Sequence, residues 1–358
     1  MKILIVAPST RAIAESARQA KYDFATVDYF GDTDQKKICK NYSLRENRVD
    51  FSIENLFRFS LRFRGKYSHL VYGSGFENHP ELLEEYQKYF SLLGNPPEVV
   101  KRVRDWKKVI KIMKKLDIAF PRTFIVESDE INDISGNYVI KPIKTGGGKG
   151  IYKMGEHPPL AGKFLVQEYI KGKNVSAMVL GCEGEYFFIG GTEQLLDKFL
   201  YLGNISPFEH EELQEASIKI AEAFKLVGIN GIDFILADKL YAIEINPRLT
   251  GALEVIERAY HLNIFDLHVK ACLGEKIFLK RKISKNFFAR KIVYAKHTIK
   301  VKGKFPSFIK DVPEEGEIIK RGSPVCTILA QGITREDCMN DLKKKEEILN
   351  AYLWKEDI

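Results

Sequence analysis

The sequence predicts an α/β chain with an N-terminal parallel sheet, a strand-rich middle and a small β-rich tail. Three observations carry this. Strand–turn–helix alternation opens the chain, from the β-branched run Lys2–Ala7 through the polar turn Ser9-Thr10-Arg11 to Ala12–Lys21. Between Tyr138 and Ile245, short apolar runs follow one another with a single amphipathic helical pattern among them. From Phe287, short strands and Gly/Pro turns precede a charged final helix. The chain has 358 residues, 45% hydrophobic and 29% charged, enough for a sizeable core in two or three domains. This composition excludes a disordered tail protein, a collagen-like chain and a disulfide mini-protein.

In chain order, Phe24–Tyr29 and His69–Tyr72 continue the opening alternation, the latter running into Gly73-Ser74-Gly75. Parallel sheets bind ligands at the carboxyl ends of their strands, so Ser9, Thr10, Gly75 and Glu77 are candidate substrate contacts; plain turn-making explains the same residues. Gly94-Asn95-Pro96-Pro97 closes the first domain, 1–97. A basic helix spans Lys101–Lys115, with Val103, Trp106, Ile110 and Met113 on one face, and ends near Leu116. Strands are expected at Tyr138–Lys141, Phe164–Ile170, Val175–Leu180, Tyr186–Gly190, Gly231–Leu236 and Tyr241–Ile245, and helices at Glu212–Val227, Glu254–Leu262 and Ile264–Leu273. The second domain is 98–284, split into a lobe 98–172 and a core lobe 173–284. The third, 285–358, holds strands Ala289–Ala295, Ile318–Ile319 and Val325–Ala330 and a helix from Thr334 to Leu349. Gly316–Ile328 reads as a β-hairpin.

The net charge of +8 permits an anionic ligand such as a nucleotide. No interleaved basic–aromatic stripe points to nucleic acid. Five cysteines without a CxxC pair suggest a reducing compartment, and seven histidines without an HxxxH pattern give no zinc site. No apolar run approaches the ~20 residues of a bilayer span. Met1–Pro8 lacks a small-residue cleavage site and reads as a buried strand, so a cytoplasmic protein is expected.

Three motifs carry chemistry. Lys144-Thr145-Gly146-Gly147-Gly148-Lys149-Gly150 is a glycine-rich loop whose N–H groups could approach phosphate oxygens; a flexible hairpin loop explains it equally well. Asp233, Glu244 and Asn246 lie on two strands joined by the turn Ala237-Asp238-Lys239. Period-two alternation puts Glu244 and Asn246 on one face, and pairing can bring Asp233 alongside. Such oxygens suit Mg²⁺ (or Mn²⁺), with a surface salt-bridge cluster as the alternative; Arg248 would then lie beside phosphates. Gln167-Glu168-Tyr169-Ile170 could read an adenine edge.

The order of these motifs, from a Lys-bearing helix through Lys-Pro, the glycine loop, Gln-Glu-Tyr-Ile and Gly-x-Asp to Glu-x-Asn-Pro-Arg, resembles the ATP-grasp superfamily over roughly Lys101–Glu257. The tail segment Ala289-Arg290-Lys291-Ile292-Val293-Tyr294-Ala295 resembles the small C-terminal domain of the biotin carboxylase branch. Gly190-Gly191-Thr192-Glu193-Gln194 with Tyr201–Pro207 resembles archaeal-type relatives of that branch. The resemblance implies a pre-ATP-grasp N-terminal domain and a two-lobed ATP-grasp domain. In it Lys141 holds phosphates, Gly146, Gly147, Gly148 and Gly150 cover them, and Gln167, Glu168 and Ile170 read adenine. Asp233, Glu244 and Asn246 hold the metal, and Arg248 faces the transferred phosphoryl group. Trp106 replaces the family's phosphate lysine, with Lys107 beside it as a substitute; Asn174 replaces the ribose-binding Glu; Ala252 stands where biotin carboxylases carry a catalytic Glu.

The expected function is therefore an ATP-dependent carboxylate–amine (or carboxylate–thiol) ligase, with Tyr201 and Asn204 in the Gln194–Pro207 stretch helping to choose the substrate; a plain structural loop explains that stretch equally well. Carboxyphosphate chemistry and a non-catalytic nucleotide-binding regulator are the alternatives. The expected partners are a small carboxylate and an amine, with a homodimer as the default assembly, and coenzyme biosynthesis is the pathway the resemblance suggests.

Overall fold

Five parallel strands open the computed structural model, which describes residues 1–144, 146–156 and 162–353. They are β1 (Lys2–Val6), β2 (Asp23–Asp28), β3 (Lys40–Ser43), β4 (His69–Tyr72) and β5 (Ser91–Leu93), in the order β3-β2-β1-β4-β5. Ile3, Leu4, Ile5 and Val6 are wholly buried, as expected of a central strand covered on both faces. Helices α1 (Arg11–Gln19), α2 (Thr33–Lys36), α3 (Ile53–Ser60) and α4 (Pro80–Tyr86) connect the strands. The order reverses direction between β1 and β4. The loops after these two strands, holding Ser9 and Gly73–Gly75, therefore flank one crevice.

The expected single helix over Lys101–Lys115 is two helices, α5 (Pro97–Arg104) and α6 (Trp106–Lys115). Asp105 breaks them by capping α6, its carboxylate accepting the Lys108 N–H at 3.2 Å. The buried face is Val103, Trp106, Val109 and Met113; Ile110 is only half-buried.

A small antiparallel sheet follows, made of β6 (Thr123–Glu127), β7 (Tyr138–Pro142), β8 (Tyr152–Lys153) and β9 (Lys163–Glu168), ordered β6-β9-β7-β8. The core then builds one eight-stranded sheet. Its strands are β10 (Lys173–Cys182), β11 (Glu185–Asp197), β12 (Leu200–Ser206), β13 (Gly228–Leu236), β14 (Leu240–Asn246) and β15 (Phe287–Tyr294), with β17 (Ile309–Lys310) and β19 (Pro324–Gly332) at the far end. Helices α7 (Glu211–Phe224), α8 (Leu253–Tyr260) and α9 (Ile264–Cys272) pack against it, and α10 (Arg335–Leu353) covers β19.

Two expectations are revised here. The stretch Gln194–Pro207 is mostly strand, because β11 runs to Asp197 and pairs with β12. The hairpin expected at Gly316–Ile328 does not form: β18 (Ile318–Ile319) pairs with β16 (Ile299–Lys300), while β19 pairs with β15 and β17. The C-terminal strands also join the core sheet directly, through the β12–β15 pairing. Among the described residues, no helix is long and apolar enough to cross a membrane.

Candidate functional site

A cavity of about 840 Å³ opens between the parallel sheet, the small sheet and the eight-stranded sheet. One wall is the β13–β14 hairpin. Asp233 and Glu244 stand directly opposite each other, next to an irregularity that reads Phe234 against Ala242. Asn246 donates its amide to Asp233 at 2.9 Å, and Gln194 donates from β11 to the other Asp233 oxygen at 2.8 Å. Burial and the neighbouring Glu244 push the Asp233 carboxyl up to about 7. Two facing carboxylates repel, and a cation between or beside them relieves that repulsion.

The positive side is equally organised. Arg248 bonds Glu77 at 2.9 Å through Nε and the Asn246 side-chain oxygen at 3.3 Å through Nη2. Glu77, expected as a substrate contact, lines the cavity, but its carboxylate is engaged with Arg248. Burial alone would raise the Glu77 carboxyl; Arg248 and Arg104 outweigh it and hold the group below its ordinary value. Lys141, on β7, donates to the Gln167 side-chain oxygen at 2.6 Å, and burial lowers its ammonium pKa. Gln167 in turn reaches Thr123 at 3.0 Å, tying three strands of the small sheet together.

The glycine loop bends over this wall. Gly147 accepts the Tyr201 N–H at 3.0 Å, which docks the loop on the start of β12. Gly148 has φ +76°, and a Cβ there would meet the Phe199 carbonyl oxygen at 1.7 Å, so only glycine fits. Thr145 lies outside the described residues. Gly146, Gly147 and Gly148 line the cavity with Lys141, Gln167, Glu168, Ile170, Asn174, Ser9, Gly75, Tyr201 and Asn204. Tyr201 and Asn204 bond each other, and Asn204 donates to Thr192 at 2.8 Å.

Three expected site residues fall elsewhere. Lys107 is exposed on α6 and does not line the cavity, because it lies off the buried face made by Trp106, Val109 and Met113. Thr10 is fully buried and donates to Asp28 at 2.6 Å, so it fixes the loop after β1 and does not line the cavity. Gly150 lies behind the loop against Pro142 and does not line the cavity.

Sequence reading missed Arg104, the last residue of α5. It bonds Glu244 at 3.0 Å, and its Nε and Nη2 are buried without a hydrogen-bond partner. Its signal was masked because the basic run reads as a solvated helix face. It also missed Arg290, which lines the cavity from β15 and donates to the Gly251 carbonyl at 2.8 Å.

A glycine-rich loop, Lys141 and paired acids on a hairpin thus line one cavity. The model of the ATP-grasp domain family matches residues 103–252 of the chain. The chain is 25% identical to an uncharacterized protein of Methanocaldococcus jannaschii, over 97% of this chain and 94% of that one. Among solved structures, biotin carboxylase from Campylobacter jejuni superposes with a TM-score of 0.74 at 14% identity, covering 97% of this chain and 90% of that one. N5-carboxyaminoimidazole synthetase from Staphylococcus aureus, complexed with ADP, gives 0.72 at 15% identity and 96% coverage of both chains.

Proposed function

We propose that this protein is an ATP-dependent ligase that joins a small-molecule carboxylate to an amine and releases ADP and phosphate. One observation carries the reading: the glycine loop, Lys141, the Asp233–Glu244 pair and Arg248 all line a single cavity. Two carboxylates and the Asn246 amide oxygen are the donor set expected of Mg²⁺ (or Mn²⁺) shared with phosphates, and the raised Asp233 carboxyl fits a site that gains from a cation. When bound, the metal would offset phosphate charge.

A substrate carboxylate oxygen attacks the γ-phosphorus of ATP, and the bond to ADP breaks. An amine nitrogen then attacks the acyl carbon of the acylphosphate; phosphate leaves, and the nitrogen gives up a proton. Arg248, fixed by Glu77, holds a positive charge where the phosphoryl oxygens gather. Lys141 adds charge at the phosphate end. The glycine loop on β12 limits water at the acylphosphate. Adenine would lie along Gln167–Ile170, with Asn174 near the ribose. Ala252 lines the cavity where biotin carboxylases carry a catalytic Glu, which weighs against bicarbonate as the activated acid.

The test is ADP release from MgATP with no addition, with bicarbonate, and with a pool of small carboxylates and amines. The controls are Glu244→Ala and Asn246→Ala. Release only with the pool, lost in the controls, supports the ligase. Release with bicarbonate alone favours carboxyphosphate chemistry. Tight MgATP binding without release under any condition favours a nucleotide-binding regulator.

A further inference from the structure

The cavity reaches from Arg248 to the loop after β2, where Phe30, Asp32 and Phe51 line it. Asp32 is 5% exposed, and its Oδ2 is buried with no hydrogen-bond partner. The acids around it are committed elsewhere. Asp28 accepts from Thr10, Asn41 and the Gly31 N–H; Asp34 accepts the Asp311 and Val312 N–H groups; Asp311 and Glu254 grip Arg11. Arg45 pairs with Glu317, and its Nε is itself buried without a hydrogen-bond partner. The charges of Arg11 and Arg45 both bear on Asp32, yet its Oδ2 is left without a hydrogen bond, and burial together with Asp311, Asp28 and Asp34 outweighs Arg11 and raises the carboxyl well above its ordinary value. An unmatched buried acceptor is costly, and a cationic ligand group offsets that cost.

A metal ion is not the fitting cation, because the carboxylates nearest Asp32 are already taken up by Thr10, Asn41, backbone N–H groups and Arg11. The neighbouring wall is apolar instead. Phe51 lines it while 49% exposed, so a carbon chain landing there would cover it.

Resting on the ligase reading, we propose that Asp32 seats a protonated amine carried by one of the two substrates. An ammonium paired with a carboxylate has no free electron pair, so this nitrogen is the recognised group. The reacting end of the same molecule, a carboxylate or a second amine, extends toward Arg248. The substrate class is therefore an amino acid or a diamine.

Calorimetric titration of the full chain tests this with two matched pairs: 6-aminohexanoate against hexanoate, and 1,6-diaminohexane against 1,6-hexanediol. In one pair the charged member is expected to bind about tenfold tighter or more, and that pair identifies which substrate carries the amine. Asp32→Asn is expected to erase the preference and leave MgATP binding unchanged; Asp32→Glu is expected to keep it and serves if the first variant does not fold. Equal binding within both pairs, no saturable binding of either charged probe, or an undiminished preference in Asp32→Asn overturns the proposal. MgATP binding by the unaltered protein is measured alongside. Its absence sinks the ligase reading while leaving the amine result to stand on its own.

Discussion

Two charge clusters, one buried and one half-buried, line the same cavity and are built in opposite ways. Around Arg11, opposite charges close on each other. Its guanidinium, wholly buried, takes Glu254 at 2.5 and 2.8 Å and Asp311 at 2.9 Å, joining α1, α8 and the loop after β17. Around Asp233, like charges face each other across β13 and β14, held by neutral amides and flanked by Arg104 and Arg248. The first cluster satisfies itself and fastens distant segments of the chain. The second leaves two facing carboxylates, one of them bonded only by neutral amides. Under the proposed function, that contrast separates an ion-pair network from a ligand site.

The largest expected effect comes from opening the closed cluster. Arg11→Ala leaves Glu254 and Asp311 buried with far less countercharge and is expected to cost about 3–5 kcal/mol, read by urea denaturation. A loss below ~1 kcal/mol would show that the network is not a fastening at all. Next, Glu244→Gln is expected to cut MgATP-dependent turnover on the order of a hundredfold and to cost far less stability than Arg11→Ala, since it relieves the repulsion from Asp233 and keeps an acceptor for Arg104. If stability fell as far as in Arg11→Ala, the two clusters would be of one kind.

A smaller effect is a pH signature. Burial pushes the Glu257 carboxyl up to about 7, although it accepts from Ser16 and the Ile264 N–H. A carboxyl whose folded value lies above its unfolded value stabilises the fold fully at low pH and ceases to do so as pH rises through the folded value. Stability is therefore expected to fall between about pH 4.5 and 7, and Glu257→Gln to flatten that part of the melting-temperature profile. The smallest effect is Lys107→Ala, expected to move stability by less than about 0.5 kcal/mol and to leave the KM for ATP unchanged, because the side chain is exposed and outside the cavity. A tenfold rise in that KM would return Lys107 to the phosphate site.

Local pattern alone reveals the β13–β14 hairpin, because alternation and a short turn leave few ways to pair two strands, and its polar residues stand out against apolar neighbours. It does not reveal β12, because Tyr201–Ser206 mixes Gly and Asn with apolar residues and makes sense only once β11 and β15 hold it on both sides. Arg104 is hidden by its own neighbourhood of lysines and arginines, which a solvated helix explains until Asp105 breaks that helix.

The sequence by itself determined the local grammar: strand and helix periods, the glycine loop, the acids at period-two spacing, and the motif order. Those depend on residues a few positions apart, where backbone geometry fixes the outcome. Only the tertiary structure decided which charges are matched. Arg11 meets partners 243 and 300 residues away, and Asp32 has none for its Oδ2. Electrostatic pairing depends on distance in space and on desolvation, and neither can be read from separation along a chain.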